Sequence, residues 1–454
     1  HSSLVSYGPN EVFMSTVLKP IVSIVGRPNV GKSTLFNRLT EDRPAIVSDI
    51  PGTTRDRVIA DVAWSEQLIT LVDTGGLDEF PNTELWTNIR DQIDHAIEGS
   101  DVVIMLADVV TGLTAPDEDV AQILRLSKKQ VVVAINKADN ELRETAVGEF
   151  HKLGLGEPIP ISAYHNQGIE DLMEQVLKHL PKTDAIPDPE TDFKMAIVGR
   201  ANVGKSMLLN SILGENRAIV SDIPGTTRDA LDSLVTVDER TILLIDTAGI
   251  RRRGKIERGI EQFSTLRSIR AIDRAEIAVL VMDATELATT QDTHIAGYVL
   301  EAYRGIVLAI NKWDRSQDLD LNKDDAVRRV REQFKFANHA PICFISALEN
   351  TGIGELLDTA ARTHQHWGMT LPRYDLRRTI LNAIADHPPP TGRRRLKIYG
   401  VTQDNTQPPS FTFHVNKSDM VHFSYQRYLE NTIRNAYGFE GTPLRMRFKS
   451  RGDR

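Results

Sequence analysis

Short, continuously apolar runs alternate with segments of helical periodicity along most of the chain. The runs lie at 21–25, 68–72, 102–106, 131–135 and 159–161, and again at 242–245, 277–282, 306–310 and 342–345. Strands that are apolar at nearly every position are typical of a parallel sheet with helices on both faces. The pattern therefore predicts two successive α/β domains, each with a mostly parallel, doubly wound sheet.

The pattern changes after Leu371. The remaining residues predict a helix over 374–385, strands over 393–399 and 410–415, a helix over 425–436 and a last strand over 444–448. An α-β-β-α-β unit of this size is a small α+β domain with a single helical layer. The chain thus predicts two α/β domains followed by one α+β domain.

A glycine-rich loop occurs near the start of each α/β domain. Both copies fit the phosphate-binding pattern G-x-x-x-x-G-K-[ST], in which backbone N–H groups and the lysine hold phosphates and the hydroxyl binds Mg²⁺. A strand-like run precedes each loop and a helix-like run follows it, as the motif requires. The residues are Gly26, Arg27, Pro28, Asn29, Val30, Gly31, Lys32 and Ser33, and Gly199, Arg200, Ala201, Asn202, Val203, Gly204, Lys205 and Ser206.

The second α/β domain repeats the first. The segments 45–56 and 218–229 match at an offset of 173 residues, the same offset as the two loops. Further matches follow, at offsets of 173, 175 and 184: Asp73, Thr74, Gly75 and Gly76 with Asp246, Thr247, Ala248 and Gly249; Asn136, Lys137, Ala138 and Asp139 with Asn311, Lys312, Trp313 and Asp314; Ser162 and Ala163 with Ser346 and Ala347. Each motif follows an apolar run, so we expect the motifs of one copy to converge on one ligand beyond the carboxyl ends of the strands.

The Asn-Lys-x-Asp segments predict which base is bound. A carboxylate at Asp139 or Asp314 accepts hydrogen bonds from the ring N–H and the amine of guanine, whereas adenine would leave the acid unpaired. We expect the lysine to lie along the base and the Ser-Ala pair to close the pocket. The predicted ligands are GTP and its product GDP.

Asp73 and Asp246 are predicted to hold Mg²⁺ through water, with Ser33 and Ser206. In the Gly-Thr-Thr-Arg-Asp segments, Thr54 and Thr227 are the predicted threonine ligands of the metal, and loss of the γ-phosphate would release these loops. Gly76 and Gly249 would donate a backbone N–H to that phosphate.

The residue after Asp-x-x-Gly is Leu77 or Ile250, where many GTPases have a glutamine that orients water. Another group must therefore stabilise the transition state. Asn29 and Asn202 occupy matching positions in the loops, and an amide oxygen there can help to hold a monovalent cation against the phosphates. The alternative is that each asparagine only braces its loop. Lys32, Asn29 and Thr54, with Lys205, Asn202 and Thr227, are the predicted catalytic residues.

Charge is distributed unevenly along the chain. The net charge is −8 overall, yet residues 371–454 carry 15 Lys and Arg against 7 Asp and Glu. A basic, aromatic-rich terminal domain predicts an anionic partner, with RNA as the first candidate, or else docking on acidic neighbouring domains. No apolar stretch approaches the length of a transmembrane helix, and the single cysteine, Cys343, is expected to be a core residue in a reducing cytosol.

Together, the two loops, the Asp-Ile-Pro-Gly-Thr-Thr-Arg-Asp runs and the basic terminal domain resemble the Der (EngA) family of bacterial GTPases. The resemblance covers about residues 20–449 and implies a ribosome-assembly factor that acts on the large subunit, binds rRNA, uses Mg²⁺ and K⁺, is cytoplasmic and monomeric, and has a KH-like terminal domain. The expected division is a flexible leader over 1–17, GTPase domains over 18–180 and 193–370, an acidic linker over 181–192 and the KH-like domain over 371–454.

Several points stay open at the level of sequence. The letters Gly438-Phe439-Glu440-Gly441 fit the G-x-x-G loop of KH domains, but their position between a helix and a strand favours a helix cap and turn. The run 251–255 is either a nucleotide-controlled basic surface or a solvated loop. A switch whose target is a protein, and a GTPase of tRNA modification, are the alternative functions. Candidate RNA contacts are Arg393, Arg394, Arg395, Lys397, Arg445, Arg447 and Lys449.

Overall fold

The fold is taken from a computed structural model of the 454-residue chain. It describes residues 19–41, 59–65, 67–74, 97, 99–127, 129–181, 191–214, 219–223, 232–237, 239–247, 264–389 and 396–450. The described residues divide into two compact units, one that contains those up to residue 181 and one that contains those from residue 191 onward.

The first unit contains a six-stranded sheet. Its strand order is β2-β3-β1-β4-β5-β6, and only β2 runs antiparallel to its neighbour. The strands are β1 Ile21–Val25, β2 Ile59–Trp64, β3 Gln67–Asp73, β4 Val102–Asp108, β5 Gln130–Asn136 and β6 Ile159–Pro160. The described helices are α1 Lys32–Glu41, α2 Ala115–Ser127, α3 Glu141–Ala146 and α4 Ile169–His179, with a 3₁₀ helix at Val147–Leu153.

The second unit begins with a seven-stranded sheet of order β13-β12-β11-β7-β10-β9-β8. Its strands are β7 Phe193–Val198, β8 Ile219–Ile223, β9 Asp232–Val237, β10 Arg240–Ile245, β11 Ile277–Asp283, β12 Gly305–Asn311 and β13 Ile342–Phe344. Its helices are α5 Lys205–Gly214, α6 Ser264–Arg274, α7 Thr290–Glu301, α8 Lys323–Gln333 and α9 Ile353–Trp367, with 3₁₀ turns at Trp313–Arg315 and Lys335–Ala337.

The predicted doubly wound sheets are confirmed. All seven residues of β4 and of β11 are buried, and each sheet has an apolar core on both faces. Sequence reasoning missed β2, β8 and β9, which are the antiparallel strands at one edge. In β2 the side chains alternate in burial at Val62, Ala63 and Trp64, so no continuous apolar run marks the strand.

The terminal domain has the predicted α-β-β-α-β order. Its elements are α10 Arg373–Asp386, β14 Ile398–Thr406, β15 Pro409–Val415, α11 Phe423–Tyr437 and β16 Arg445–Ser450, with a 3₁₀ turn at Ser418–Met420. One sheet face packs under the helices around Phe411, Phe413 and Leu429, which are fully buried. β14 runs to Thr406, well beyond the predicted end of that strand at residue 399.

Three smaller predictions can be compared with the described residues. Cys343 is 3% exposed in an apolar core, as expected, and burial raises the pKa of its thiol. Asp192, at the end of the predicted linker, exchanges hydrogen bonds with Thr241 and so already belongs to the second sheet. No helix within the described ranges is long and apolar enough to span a membrane.

The Gly438–Gly441 segment caps a helix and docks the terminal domain. Gly438 ends α11 at a φ of 86°, with its N–H bonded to the Arg434 carbonyl, which confirms the cap and turn. Gly441 then donates to the His339 carbonyl and accepts from the Ile306 N–H, both at 2.7 Å. These residues belong to the second GTPase-like domain, so the terminal domain docks at the amino end of β12.

Neutral side chains take part in this docking. Burial, and after it the guanidinium charges of Arg434 and Arg331, hold the pKa of His339 well below its usual range, so the ring is uncharged. Thr442 donates to the Thr363 carbonyl at 3.3 Å. Backbone and neutral hydrogen bonds therefore form part of the interface.

Gly441→Ala should loosen this docking. Gly441 has a φ of 66°, and a Cβ there would lie 2.7 Å from the Ile306 carbonyl oxygen and the Thr363 side chain. We expect a loss of about 2–3 kcal/mol from the clash and the strained backbone together, measured by chemical unfolding of the full chain. Gly438→Ala is the matched control, because its φ is also positive, at 86°, but no atom lies within 4 Å of the new Cβ. Equal losses in the two variants would contradict tight packing at Gly441.

Candidate nucleotide-binding sites

The two phosphate loops have the same backbone. In the first, Gly26 has a φ of 154° and Gly31 of 99°, and in the second, Gly199 and Gly204 have 145° and 98°. A Cβ at Gly26 would overlap the Leu106 carbonyl, and one at Gly31 would overlap the amide of Asn136. Only glycine meets both requirements, so the motif glycines are explained by φ and by close approach.

The loop lysines are turned toward their own loops. Lys32 Nζ donates to the carbonyls of Gly26 at 2.8 Å and Arg27 at 3.1 Å, and Lys205 Nζ to those of Gly199 at 2.7 Å and Arg200 at 2.5 Å. Burial lowers the pKa of Lys32, the Asp73 charge opposes that effect and the Arg27 charge adds to it. The loop thus holds a partly desolvated cation where phosphate oxygens would bind.

Each motif asparagine joins two loops. Asn136 Nδ2 donates to the Val30 carbonyl at 2.8 Å, and its Oδ1 accepts from the Ala163 N–H at 3.0 Å. Asn311 makes the same bonds to Val203 and Ala347, at 2.8 and 3.0 Å. The asparagine therefore ties the phosphate loop to the Ser-Ala loop, and the predicted motifs of each copy do come together at one edge of the sheet.

The lysines of the Asn-Lys-x-Asp motifs form hydrogen bonds with two aspartates that sequence reasoning missed. Lys137 Nζ donates to Asp108 Oδ2 at 2.6 Å and Lys312 Nζ to Asp283 Oδ2 at 2.5 Å. Burial would raise the pKa of Asp283, but hydrogen bonds from Lys312 and Thr285 outweigh it and lower the pKa. The two aspartates are 175 residues apart, like the Asn-Lys-x-Asp motifs, and that shared offset is the signal that could have found them.

The aspartates predicted to read guanine have different partners in the two copies. Asp139 Oδ1 accepts from Arg143 Nη1 at 2.5 Å, and His165 Nε2 lies 3.9 Å from Oδ2. Asp314 Oδ1 instead accepts from Ser346 Oγ at 2.5 Å. A guanine entering the first site must share its carboxylate with a guanidinium, whereas in the second site the Ser-Ala loop holds the carboxylate.

The x residue of each Asn-Lys-x-Asp motif anchors the neighbouring strand. The N–H of Ala138 donates to the Ile161 carbonyl at 3.0 Å and that of Trp313 to the Ile345 carbonyl at 3.1 Å. The Trp313 ring also packs on Phe344, with centroids 4.4 Å apart. These positions fix the loop through the backbone, which explains why their side chains differ.

The predicted magnesium ligands meet in the first copy. Ser33 Oγ donates to Asp73 Oδ2 at 2.7 Å, and two hard oxygen donors beside a phosphate loop suit Mg²⁺. In the second copy Asp246 has a φ of 57°, and its N–H donates to Asp232 Oδ1. The threonines differ too, since Thr74 donates to the Ile24 carbonyl and Thr247 pairs with Ser233. No group of three or more acidic, His or Cys side chains suited to a metal occurs within the described ranges.

Some predicted site residues lie outside the described residues. They are Thr54, Gly75, Gly76 and Leu77 in the first copy, and Thr227, Ala248, Gly249 and Ile250 in the second. The run 251–255 and Arg393, Arg394 and Arg395 also lie outside. Their roles remain predictions.

Family models match the chain over both copies and the terminal domain. A model described as a 50S ribosome-binding GTPase matches residues 21–137 and again 194–312. A second model, described as the KH-domain-like C-terminal region of EngA bacterial GTPases, matches residues 371–449. The phosphate loops and the Asn-Lys pairs of both copies fall within the GTPase matches, whereas the aspartates of the Asn-Lys-x-Asp motifs and the Ser-Ala pairs lie beyond them.

Full-length relatives decide the family. The chain is 48% identical to GTPase Der of Chloroflexus aggregans over 95% of its own length and 98% of the relative. Identity is 46% to GTPase Der of Caldanaerobacter subterraneus, over 96% of this chain and 99% of the relative, and 45% to that of Geobacillus thermodenitrificans, over 94% and 98%. The chain belongs to the GTPase Der (EngA) family. It is a GTPase with two G domains and a KH-like domain, so GTP and GDP are its ligands, and Mg²⁺ is the metal usual in such proteins.

Solved structures show looser likeness to this member of the Der family. Era of Aquifex aeolicus bound to GDP·AlF₄⁻ is 23% identical, over 56% of this chain and 86% of Era, with a TM-score of 0.30. The G domain of FeoB from T. maritima is 21% identical, over 37% of this chain and 97% of that domain, with a TM-score of 0.26. These low scores carry no functional argument.

Asp314→Asn should lower the number of tightly bound GDP molecules from two to one per chain. The amide cannot accept both guanine hydrogen bonds, and we expect a loss of about 3 kcal/mol, or roughly a hundredfold in affinity, at the second site. Xanthosine diphosphate should regain binding, because its extra carbonyl accepts from the amide. Stoichiometry by titration calorimetry measures both effects. Asp318→Asn, in the exposed turn nearby, is the control, and two equally tight GDP molecules per Asp314→Asn chain would contradict guanine reading by Asp314.

Proposed function

We propose that this chain is a switch in assembly of the large ribosomal subunit, with GTP hydrolysis controlling its association with rRNA. The main support is that a family model described as a 50S ribosome-binding GTPase matches the chain twice, in a chain that also has a basic KH-like domain. On this proposal the chain acts as a monomer, and the nucleotides of the two copies rearrange its domains.

A basic sheet face supports RNA binding by the terminal domain. Arg445, Arg447 and Lys449 alternate along β16 with the core-facing Met446 and Phe448, so they lie on the face away from the helices. Arg445 stacks on Tyr303 of the second G domain, 4.2 Å from the ring centroid, whereas Arg447 and Lys449 are exposed. The G-x-x-G letters are used in docking, so the exposed sheet residues are the better candidates for phosphate contacts.

Charge reversal on that face tests the proposal. We expect Arg447→Glu with Lys449→Glu to reduce cosedimentation with large subunits at least tenfold, because phosphate contacts are lost and like charge is added. Arg377→Glu is the matched control, since this exposed arginine lies on α10 in the helical layer of the same domain. The assay compares large and small subunits under a GTP analogue, GDP and no nucleotide. Equal binding to large and small subunits, in every nucleotide state and after charge reversal, would contradict the proposal.

Potassium is the proposed catalytic cation, held in part by Asn29 and Asn202. Their φ values are 65° and 62°, and Asn202 lines a polar cavity of about 380 Å³ with Arg200, Asp283 and Thr285. A cation beside the phosphates would supply positive charge in a chain with Leu77 and Ile250 in place of glutamine.

Hydrolysis should be about tenfold or more faster in K⁺ than in Na⁺, since a cation of matching size offsets transition-state charge. Asn29→Gly with Asn202→Gly should abolish the difference while GDP still binds, because glycine adopts positive φ freely. Steady-state GTP hydrolysis in each salt measures this. Equal rates in both salts for the unmodified chain would remove potassium from the mechanism and leave the asparagines as loop braces.

A further inference from the structure

Two buried aspartates lie against the phosphate loops, and no predicted role accounts for them. Arg27 Nε is 3.3 Å from Asp117 Oδ1, and Arg200 Nε is 3.8 Å from Asp292 Oδ2. The aspartate side chains are 1% and 0% exposed. The aspartates are 175 residues apart, so the same pair occurs in both copies.

Helix capping uses only one oxygen of each aspartate. Asp117 Oδ2 accepts from the N–H and Oγ1 of Thr114, at 3.1 and 2.7 Å. Asp292 Oδ2 accepts from the same groups of Thr289, at 3.0 and 2.8 Å, in a capping box before α7. Oδ1 of both aspartates and Nε of both arginines are buried without a hydrogen-bond partner in the described part of the chain. In the first copy the unpaired Oδ1 is the oxygen nearest the arginine Nε, whereas in the second copy the nearest oxygen is the capping Oδ2. A cap alone does not require the second, desolvated carboxylate oxygen.

Each arginine connects the first half of its phosphate loop to neighbouring elements. Arg27 follows Gly26, whose φ of 154° starts the loop, and its carbonyl accepts from Lys32 at 3.1 Å. Its Nη2 also donates to Thr111 Oγ1. Arg200 is arranged alike, with Nη1 donating to Glu286 Oε2 at 2.6 Å. The guanidinium therefore links the first half of the loop to the turn after the neighbouring strand and to the next helix.

We propose that Asp117 and Asp292 are positioning residues for nucleotide binding, which hold the first half of each phosphate loop through Arg27 and Arg200. They touch no nucleotide themselves. Without the buried negative charge, the arginine keeps only its partner in the turn after the neighbouring strand, and the loop loses part of the support for the backbone arrangement that cradles the β-phosphate. The inference concerns GTPase chemistry and does not depend on the ribosomal role.

Asp292→Asn is the decisive variant. It is made in full-length chain carrying Asp139→Asn, so that guanine nucleotides report on the second site. An amide still accepts from Thr289 and keeps the cap, but it no longer offers a charge to Arg200. We expect affinity for GDP to fall about tenfold and affinity for GMP, which lacks the β-phosphate, to fall less than twofold. The melting temperature should change little.

Thr289→Ala is the matched control, because it weakens the cap and leaves the carboxylate facing Arg200. It should lower the melting temperature and leave the ratio of GDP to GMP affinity unchanged. Arg200→Gln, which leaves the cap intact, should reproduce the selective loss of GDP even if Asp292→Asn folds poorly. Asp117→Asn in an Asp314→Asn chain repeats the test at the first site. If the affinities for GDP and GMP fall by the same factor, or if Arg200→Gln leaves the affinity for GDP unchanged, the aspartates only cap helices.

Discussion

The bridge made by Asn136 and Asn311 is the interaction on which both nucleotide sites depend. The amide nitrogen of each side chain donates to the phosphate loop, and the amide oxygen accepts from the Ser-Ala loop. Asn136 and Asn311 are 4% and 2% exposed. An unmade bond at such a buried group costs about 1–3 kcal/mol. The arrangement lets loops far apart in the chain hold a fixed geometry at the carboxyl edge of the sheet.

Around this shared bridge the two copies have diverged. The first copy has Arg143 and His165 beside its guanine-reading carboxylate, and the second has the Ser346 hydroxyl. Ser33 and Asp73 are paired in the first copy, while in the second the backbone N–H of Asp246 donates to Asp232, which also accepts from Arg274. Unlike contacts at the predicted base and metal positions provide a physical basis for unequal nucleotide affinities in the duplicated domains.

The terminal domain docks far from the nucleotide of the G domain that carries it. Gly441 bonds to Ile306 at the start of β12, whereas Asn311 ends that strand at the site. Five residues of strand separate them by about 16 Å. The docking glycine and the G-x-x-G letters are therefore structural, and Arg447 and Lys449 stay exposed. The second G domain and the KH-like domain are therefore joined through Gly441, and the basic sheet face with Arg447 and Lys449 is left exposed on the joined domains.

The sequence by itself determined the parallel sheets, the terminal α-β-β-α-β order and the ligand class. These depend on local signals: runs apolar at every position, glycines that need particular φ values, and motifs that repeat at constant offsets. It also indicated that Gly438 caps a helix, because a cap is set by neighbouring residues. The family resemblance added the biological setting, which no residue pattern provides.

Tertiary structure alone decided which side chains support those motifs. Asp108 and Asp283, like Asp117 and Asp292, recur at the 175-residue offset of the copies. Their role as partners of Lys137, Lys312, Arg27 and Arg200 follows only from the fold, which places them together. The antiparallel strands β2, β8 and β9 were missed because none of them has a continuous apolar run. The docking of Gly441 on Ile306 joins residues 135 positions apart. Contacts of this kind depend on distance in space and leave no local pattern in the chain.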